Sequence, residues 1–169
     1  MATVRVQEKL AINPGPTDAV LTAIHCLSGD VVLLPDGSFW SGATITMEMR
    51  RLSSDSSLRD TWVELFGPQT RRYPTAELVP ERAEGLPSPM PAAGTWNVTL
   101  QTRMKVHNVS HPVRWDATVS RETDGVRVTA RTVVLWSDFA IDKPTLVPEV
   151  ASVADEIRLE VAFVAREQP

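Results

Sequence analysis

The chain has a single cysteine, Cys26, among 169 residues. One thiol excludes a disulfide framework, a CxxC redox pair and a zinc site built from several thiolates. Positive charge is also in short supply, because 17 Lys and Arg face 21 Asp and Glu, for a net charge of −4 at pH 7. Proteins that bind DNA, RNA or an anionic membrane surface carry the opposite balance. The composition therefore predicts no nucleic-acid partner.

Long apolar runs and nucleotide-binding or nucleophile motifs are absent as well. No stretch approaches the ~18 apolar residues of a membrane-spanning helix, so we expect no integral membrane segment. There is no P-loop, no G-x-G-x-x-G and no G-x-S-x-G, and we predict no cofactor. Met1-Ala2 leads directly into strand-like sequence without a signal peptide. The protein is then periplasmic or secreted if a leader was removed, and otherwise cytoplasmic.

Period-2 alternation of apolar and polar residues is what the sequence does contain, and it is typical of strands with one buried face. From Gly94 to Ser120, two alternating runs on either side of His107-Asn108 predict a long hairpin. Further strands are predicted at 3–12, 19–34, 39–51, 73–80, 126–136 and 156–166. About eight antiparallel strands and no βαβ pattern predict an all-β fold, an eight-stranded antiparallel barrel in one domain over residues 1–169.

Three features interrupt the alternation. Glu8 falls in the apolar phase of the first strand, which indicates either a bulge or a carboxylate that faces the interior; the bulge is favoured. Gly29 predicts a bend within residues 19–34. Residues 81–93 hold three prolines and no periodicity, so we interpret them as a loop at the rim of the barrel.

One short helix is predicted over residues 56–66. N-cap candidates precede it, Leu58, Trp62 and Phe66 recur at helical spacing, and Gly67-Pro68 ends it. We expect these three apolar side chains to cap one end of the barrel.

Three motifs resemble those of the YceI-like family. The hairpin segment TRMKVHNVSHPV, residues 102–113, is similar to the family's G-x-L-T-x-H-G-x-T-x-P-V, although Thr102 and Asn108 replace two glycines. Asn108 suits a tight turn because Asn tolerates the left-handed conformation. Arg59-Asp60 followed by Tyr73-Pro74 resembles the family's R-D…Y-P. Residues 136–141, WSDFAI, resemble R-S-D-F-G-I.

The resemblance implies a lipocalin-like barrel with a capping helix that holds a polyisoprenoid, an isoprenoid quinone or a related long lipid, as a carrier or storage protein. The residues support an apolar ligand independently, because an interior of Trp, Met, Val and Leu stabilises a buried chain by about 25 cal/mol per Å². The predicted ligand contacts are Leu27, Ile45, Met47, Met49, Trp62, Phe66, Trp96, Val98, Leu100, Met104, Trp115, Val128, Trp136, Phe139, Leu159 and Val161.

The alternative function is an enzyme that uses the same apolar barrel as a template, such as a cyclase of a flexible apolar precursor. Asp138 and His25 are the candidate acid–base groups for it, although Asp138 also suits hydrogen bonding to the backbone amides of its own loop. His107 and His111 are separated by a turn and a proline, so we predict no metal site. A filled barrel acting as an interaction module would need an exposed apolar stripe, and none is found. A homodimer is left open beside a monomer.

Overall fold

A computed structural model describes residues 1–11, 15–122, 125–144 and 150–166. They form one antiparallel sheet of nine strands in the order β2-β1-β9-β8-β7-β6-β5-β4-β3. The strands are β1 (Ala2–Leu10), β2 (Pro16–Ala23), β3 (Leu27–Asp30), β4 (Thr44–Glu48), β5 (Thr75–Glu84), β6 (Gly94–Val106), β7 (Val109–Glu122), β8 (Gly125–Leu135) and β9 (Val150–Ala165). The helix α1 (Ser57–Leu65) and two short 3-10 segments, Met49–Arg51 and Trp136–Phe139, complete the described elements.

The sheet curls into a half-barrel, so the predicted closed barrel of eight strands is wrong, whereas the all-β class and the short helix are confirmed. The strand count differs because residues 19–34 do not form one strand. The chain turns after β2 at His25, which adopts a left-handed φ of 50°, and continues as β3. These two strands then lie at the opposite edges of the sheet.

One backbone contact links the edge strand β2 to the segment that follows β4. The Thr22 N–H donates to the Ser53 carbonyl at 2.9 Å, and the Ser53 N–H donates to the Thr22 carbonyl at 3.0 Å. The pair is an isolated antiparallel bridge. It brings one edge of the open sheet against the chain that leads into α1.

Several predicted boundaries shift. Gly29 is not a bend but lies within β3 opposite Ile45, where a Cβ atom would stand 2.0 Å from the Thr44 carbonyl oxygen. The strand predicted at 39–51 is shorter because its last residues form a 3-10 turn, and β5 continues to Glu84, which shortens the predicted loop. Ile12 at the end of the first predicted strand, the turn predicted at Thr123-Asp124 and the loop predicted through Pro148 lie outside the described residues.

The predicted central hairpin is confirmed. Strands β6 and β7 pair in continuous register from Gly94↔Arg121 to Val106↔Val109. The two turn residues, His107 and Asn108, have φ of 49° and 67°, as a two-residue turn with both residues left-handed requires. The apolar phase faces inward, and Trp96, Leu100, Met104 and Trp115 all pack in the hydrophobic core.

Thr102 is the one polar residue in the inward phase of β6, and its hydroxyl is satisfied. The indole N–H of Trp115 donates to Thr102 Oγ1 at 3.0 Å, and that hydroxyl donates to the Val113 carbonyl at 2.9 Å. A buried tryptophan usually needs such a partner for its N–H. Thr102 therefore fixes the orientation of a core tryptophan through two hydrogen bonds.

Candidate functional site

The concave side of the sheet holds an apolar cavity of about 160 Å³. Its wall combines inward side chains of the strands with two segments outside the sheet. Helix α1 contributes Trp62 and Val63, and the segment after β8 contributes Trp136 and Phe139. Trp62 and Trp136 meet edge to face with their ring centroids 5.7 Å apart. Aromatic, methionine and aliphatic groups thus dominate the surface that a ligand would meet.

Nine of the sixteen predicted contact residues line this cavity. They are Met47, Met49, Trp62, Met104, Trp115, Trp136, Phe139, Leu159 and Val161. They come from four strands, the helix and both 3-10 segments, so the fold brings together residues that are far apart in the sequence.

The other seven lie elsewhere. Trp96, Val98, Leu100 and Val128 pack in the hydrophobic core, where side chains fill the interior. Leu27 packs beside Cys26 in a smaller cluster, and Ile45 pairs with Leu78 of β5. Phe66 is 67% exposed. The interior is therefore filled beside Trp96 and Val98 of the central hairpin, and the cavity lies beside Met104 and Trp115.

Helix α1 faces the cavity with a different side from the one predicted. Leu58 and Phe66 are 58% and 67% exposed, so neither caps the interior. The inward residues are Arg59, Trp62 and Val63, which share one helical face because they are three and four positions apart. Only Trp62 of the three predicted side chains contributes to the cavity.

The predicted ligand contacts do not include the small and charged residues of the cavity wall, because the prediction relied on large apolar side chains. Ala2, Ala19 and Ala76 line the cavity and leave room for it, and the charged residues Glu8 and Arg59 also border it. Glu8 had one signal in the sequence, its place in the apolar phase of β1. No comparable signal marks the alanines, because a small residue in a strand is equally compatible with a filled core.

Glu8 both follows a bulge and faces the interior. The register of β1 with β9 shifts between Val6 and Glu8, whereas its register with β2 is unbroken. The residue is 7% exposed, and its Oε1 accepts a hydrogen bond from Arg59 Nη2 at 2.9 Å. The bulge was the favoured of the two interpretations of Glu8, and the structure combines them.

Arg59 holds a second carboxylate on the outer side. Its Nη1 donates to Asp55 Oδ1 at 2.6 Å, and this hydrogen bond together with the positive charge of Arg59 holds the pKa of Asp55 below its usual value. The side chain of Asp55 is 90% exposed, against 8% for Glu8. One guanidinium therefore bridges an interior carboxylate and a solvent-exposed one.

The remaining motif residues make structural contacts. Asp60 accepts hydrogen bonds from the backbone N–H and the hydroxyl of Ser54, at 2.9 and 2.7 Å. The ring of Tyr73 meets that of His107 at 4.6 Å, and the Pro74 carbonyl accepts the Met49 N–H at 2.7 Å. These contacts fasten the start of α1 and the hairpin turn.

Neither candidate acid–base group of the enzyme alternative is among the lining residues of the cavity. Asp138 Oδ2 accepts the Leu135 N–H at 2.8 Å, which agrees with a backbone-capping role, and its other oxygen lies 3.6 Å from His111 Nε2. His25 is exposed at the turn between β2 and β3. Among the described residues, no group of three or more His, Cys, Asp or Glu side chains could hold a metal ion.

The part of the chain that the structure describes contains no helix long and apolar enough to cross a membrane. The family model of the YceI-like domain matches residues 15–165. The chain belongs to the YceI-like family. Comparison with the sequences of curated proteins gives no match.

Solved structures with the same fold include three bacterial proteins. Burkholderia cenocepacia BcnA is 17% identical, with a TM-score of 0.63 over 96% of each chain. A polyisoprenoid binding domain from Saccharophagus degradans, implicated in plant cell wall breakdown, is 10% identical, with a TM-score of 0.64 over 95% of this chain and 91% of that one. The Campylobacter jejuni YceI protein is 16% identical, with a TM-score of 0.62 over 86% and 83%.

Proposed function

We propose that this YceI-like protein binds a slender apolar lipid, such as a polyisoprenoid or an isoprenoid quinone, in the cavity and acts as its carrier or store. The observation that supports the proposal most directly is the composition of the cavity wall, where aromatic rings, methionines and aliphatic chains surround the space. The name of the Saccharophagus degradans domain, which is polyisoprenoid binding, points to the same class of ligand.

The size of the cavity restricts how such a ligand would lie. About 160 Å³ is close to the engineered apolar cavity of ~150 Å³ that binds benzene, and small-molecule pockets commonly reach about 300–1,000 Å³. A long chain would therefore place one segment in the cavity and extend out of it, or the wall would have to move. A crevice of about 90 Å³ between α1, β1 and β9 adjoins the cavity, and we expect one end of the chain to lie in it.

Identification of the ligand starts from the purified full-length protein. Organic extraction followed by mass spectrometry should recover an apolar chain, and titration of the extracted protein with farnesol should change tryptophan fluorescence saturably, since Trp62, Trp115 and Trp136 line the cavity. Failure of every apolar chain to give a saturable response would overturn the proposal.

Filling the cavity offers a matched test of where the ligand binds. Ala76 is 6% exposed and lines the cavity, so Ala76→Leu should weaken farnesol binding by about tenfold or more while thermal stability stays equal or rises, as cavity-filling substitutions commonly do. Ala151→Leu makes the same change at an exposed position of β9 and should bind like the wild type. Equal affinity in both variants would place the ligand outside this cavity.

The chemical fate of the ligand distinguishes a carrier from an enzyme. A carrier returns farnesol unchanged after prolonged incubation, and Asp138→Asn, which alters a group outside the cavity wall, leaves the farnesol affinity within about twofold. A cyclised or otherwise altered product that forms only when Asp138 is present would support the enzyme instead. Chromatography of the extracted ligand decides between these outcomes.

A further inference from the structure

The polar side chains that border the cavity fall into two groups. Among the described residues they are Thr3, Glu8, Arg59 and Glu160. Thr3 and Glu160 also line a groove on the outer face of the sheet. Glu160 Oε2 accepts a hydrogen bond there from Arg131 Nε at 2.8 Å. Glu8 and Arg59 do not line that groove. They are therefore the charged groups available to a ligand inside the cavity.

One oxygen of the Glu8 carboxylate has no partner among the described residues. Arg59 Nη2 donates to Oε1 at 2.9 Å, whereas no described residue donates a hydrogen bond to Oε2. Every fully buried side-chain oxygen of the described residues has a hydrogen-bond partner. Because Oε2 has none, it is not fully buried. It therefore borders open space, and a carboxylate oxygen there can accept a hydrogen bond from a ligand.

The ion pair lies where the cavity meets the crevice. Glu8, Arg59 and Trp62 line both spaces, and the far wall of the crevice includes Leu58, which is 58% exposed. A chain that occupies the cavity and ends in the crevice would place its terminal group against Glu8. The apolar wall and the ion pair thus suit two different parts of one molecule.

The charges at this position disfavour an anionic end group. Glu8 and Asp55 already hold the guanidinium of Arg59, so the three side chains sum to one negative charge. A carboxylate or phosphate would have to displace one of the two acids or lie unpaired beside Glu8, and an unpaired charge in a poorly hydrated site is costly. A hydroxyl or amide can donate to the free oxygen without breaking either ion pair.

We propose that the Glu8–Arg59 pair is a head-group site that selects an apolar ligand ending in a neutral hydrogen-bond donor, such as an alcohol, over one ending in a carboxylate or phosphate. The inference rests on the proposed function, because it specifies the end group of the lipid in the same cavity. It also accounts for a carboxylate at Glu8, a position in the apolar phase of β1 where packing alone does not call for a charge.

Three probes with one chain and different ends test this inference. Farnesol, farnesoic acid and deoxyfarnesol, the triene hydrocarbon in which hydrogen replaces the hydroxyl of farnesol, are titrated into the full-length, lipid-extracted protein at pH 7 and followed by tryptophan fluorescence. Farnesol should bind at least about tenfold more tightly than farnesoic acid and several-fold more tightly than deoxyfarnesol, in line with a hydrogen bond to a charged group.

Glu8→Gln should remove this order. The amide keeps an acceptor for Arg59 and places an N–H₂ where the free oxygen stood, so farnesoic acid should now bind at least as tightly as farnesol. Asp18→Asn is the matched control, because Asp18 forms an exposed ion pair with Arg158 away from the cavity. This variant should preserve the wild-type order of the three affinities.

The outcomes separate the two proposals. If none of the probes binds, the proposed function itself fails. If the wild type binds all three equally, or prefers farnesoic acid, the head-group site is wrong while the apolar cavity stands. The wild-type comparison decides this even if Glu8→Gln does not fold. An unchanged order in a folded Glu8→Gln variant would also overturn the assignment to Glu8.

Discussion

Thr102 and Trp115 make a polar contact inside an otherwise apolar layer. The Thr102 hydroxyl accepts from the indole and donates to a backbone carbonyl, and the residue is 2% exposed. A buried donor that loses its partner costs about 1–3 kcal/mol, more than the net value of the bond itself. The contact should therefore fix both the rotamer of Trp115 and the position of that ring at the cavity wall.

Thr102→Val tests this contact because it keeps the side-chain shape and removes only the hydroxyl. We expect the free energy of unfolding to fall by about 1–3 kcal/mol, since the Trp115 N–H is left without an acceptor. Urea denaturation measures the change. Thr118→Val, on the exposed face of β7, should stay within about 0.5 kcal/mol of the wild type. Equal effects in the two variants would contradict the role of Thr102.

Residue by residue, the sequence predicts the direction of large apolar side chains better than the shape of the space between them. The phase of Trp96, Met104 and Trp115 could be read from alternation alone. Whether the space beside an inward residue is filled depends on side chains from other strands, such as Ala19 and Ala76. Glu8 is an informative exception, because a charge in the apolar phase is unusual enough to indicate a special environment.

Helix α1 is attached to the sheet by one face of three residues. Ser56 caps it, accepting the Arg59 N–H at 3.4 Å, and Val63 is 7% exposed. Trp62 packs against Trp136 of the other covering segment. Because both tryptophans line the cavity, the position of the helix determines the width of the space that a ligand would enter.

Trp62→Ala should destabilise the protein by about 3 kcal/mol, the lower end of the range for buried tryptophans, because the ring is only partly buried. The matched change at the exposed end of the helix, Phe66→Ala, should cost less than about 0.5 kcal/mol. Thermal denaturation of both variants measures the difference. A larger loss in Phe66→Ala would restore the originally predicted helix face.

The presence of a strand or helix was easier to predict than its boundaries. The central hairpin and α1 carry strong local signals, namely a two-residue turn and an N-cap with helical spacing. The division of residues 19–34 has no such signal, because the chain turns at His25 without a glycine or proline at the turn. The short β4 is likewise set by its partners β3 and β5 rather than by its own sequence.

The whole sheet remains open, with β2 and β3 as its edges. The sequence could not distinguish this from closure, because the number of strands and their alternation are compatible with both. Closure depends on whether the first and last strands in the sheet order meet, which is a long-range property. Here the Thr22–Ser53 bridge takes the place of a further strand pair at the β2 edge.

Ser53→Pro tests the bridge, since it removes the N–H that donates to Thr22. Leu52 already has φ −66° and ψ 127°, a conformation compatible with a following proline. We expect the free energy of unfolding to fall by about 1 kcal/mol and the amide hydrogen of Thr22 to exchange faster. Ser57→Pro places proline at the first helical position, where it is tolerated, and should leave Thr22 protected. Unchanged exchange in Ser53→Pro would show that the bridge does not hold this edge.

The place of β9 between β1 and β8 has a consequence for biosynthesis. The ribosome makes β1 and β2 first, yet β1 pairs with β9 through contacts such as Val4↔Leu159 and Val6↔Ile157. Until β9 has left the ribosome, the N-terminal hairpin lacks its neighbour in the sheet, and Glu8 has not been placed beside the wall that β9 completes. Pairing over such sequence distances is slow compared with local folding. A nascent chain can therefore form its central hairpin during translation, but the wall of the cavity is complete only after synthesis of the last strand, which contributes residues such as Ile157 and Leu159.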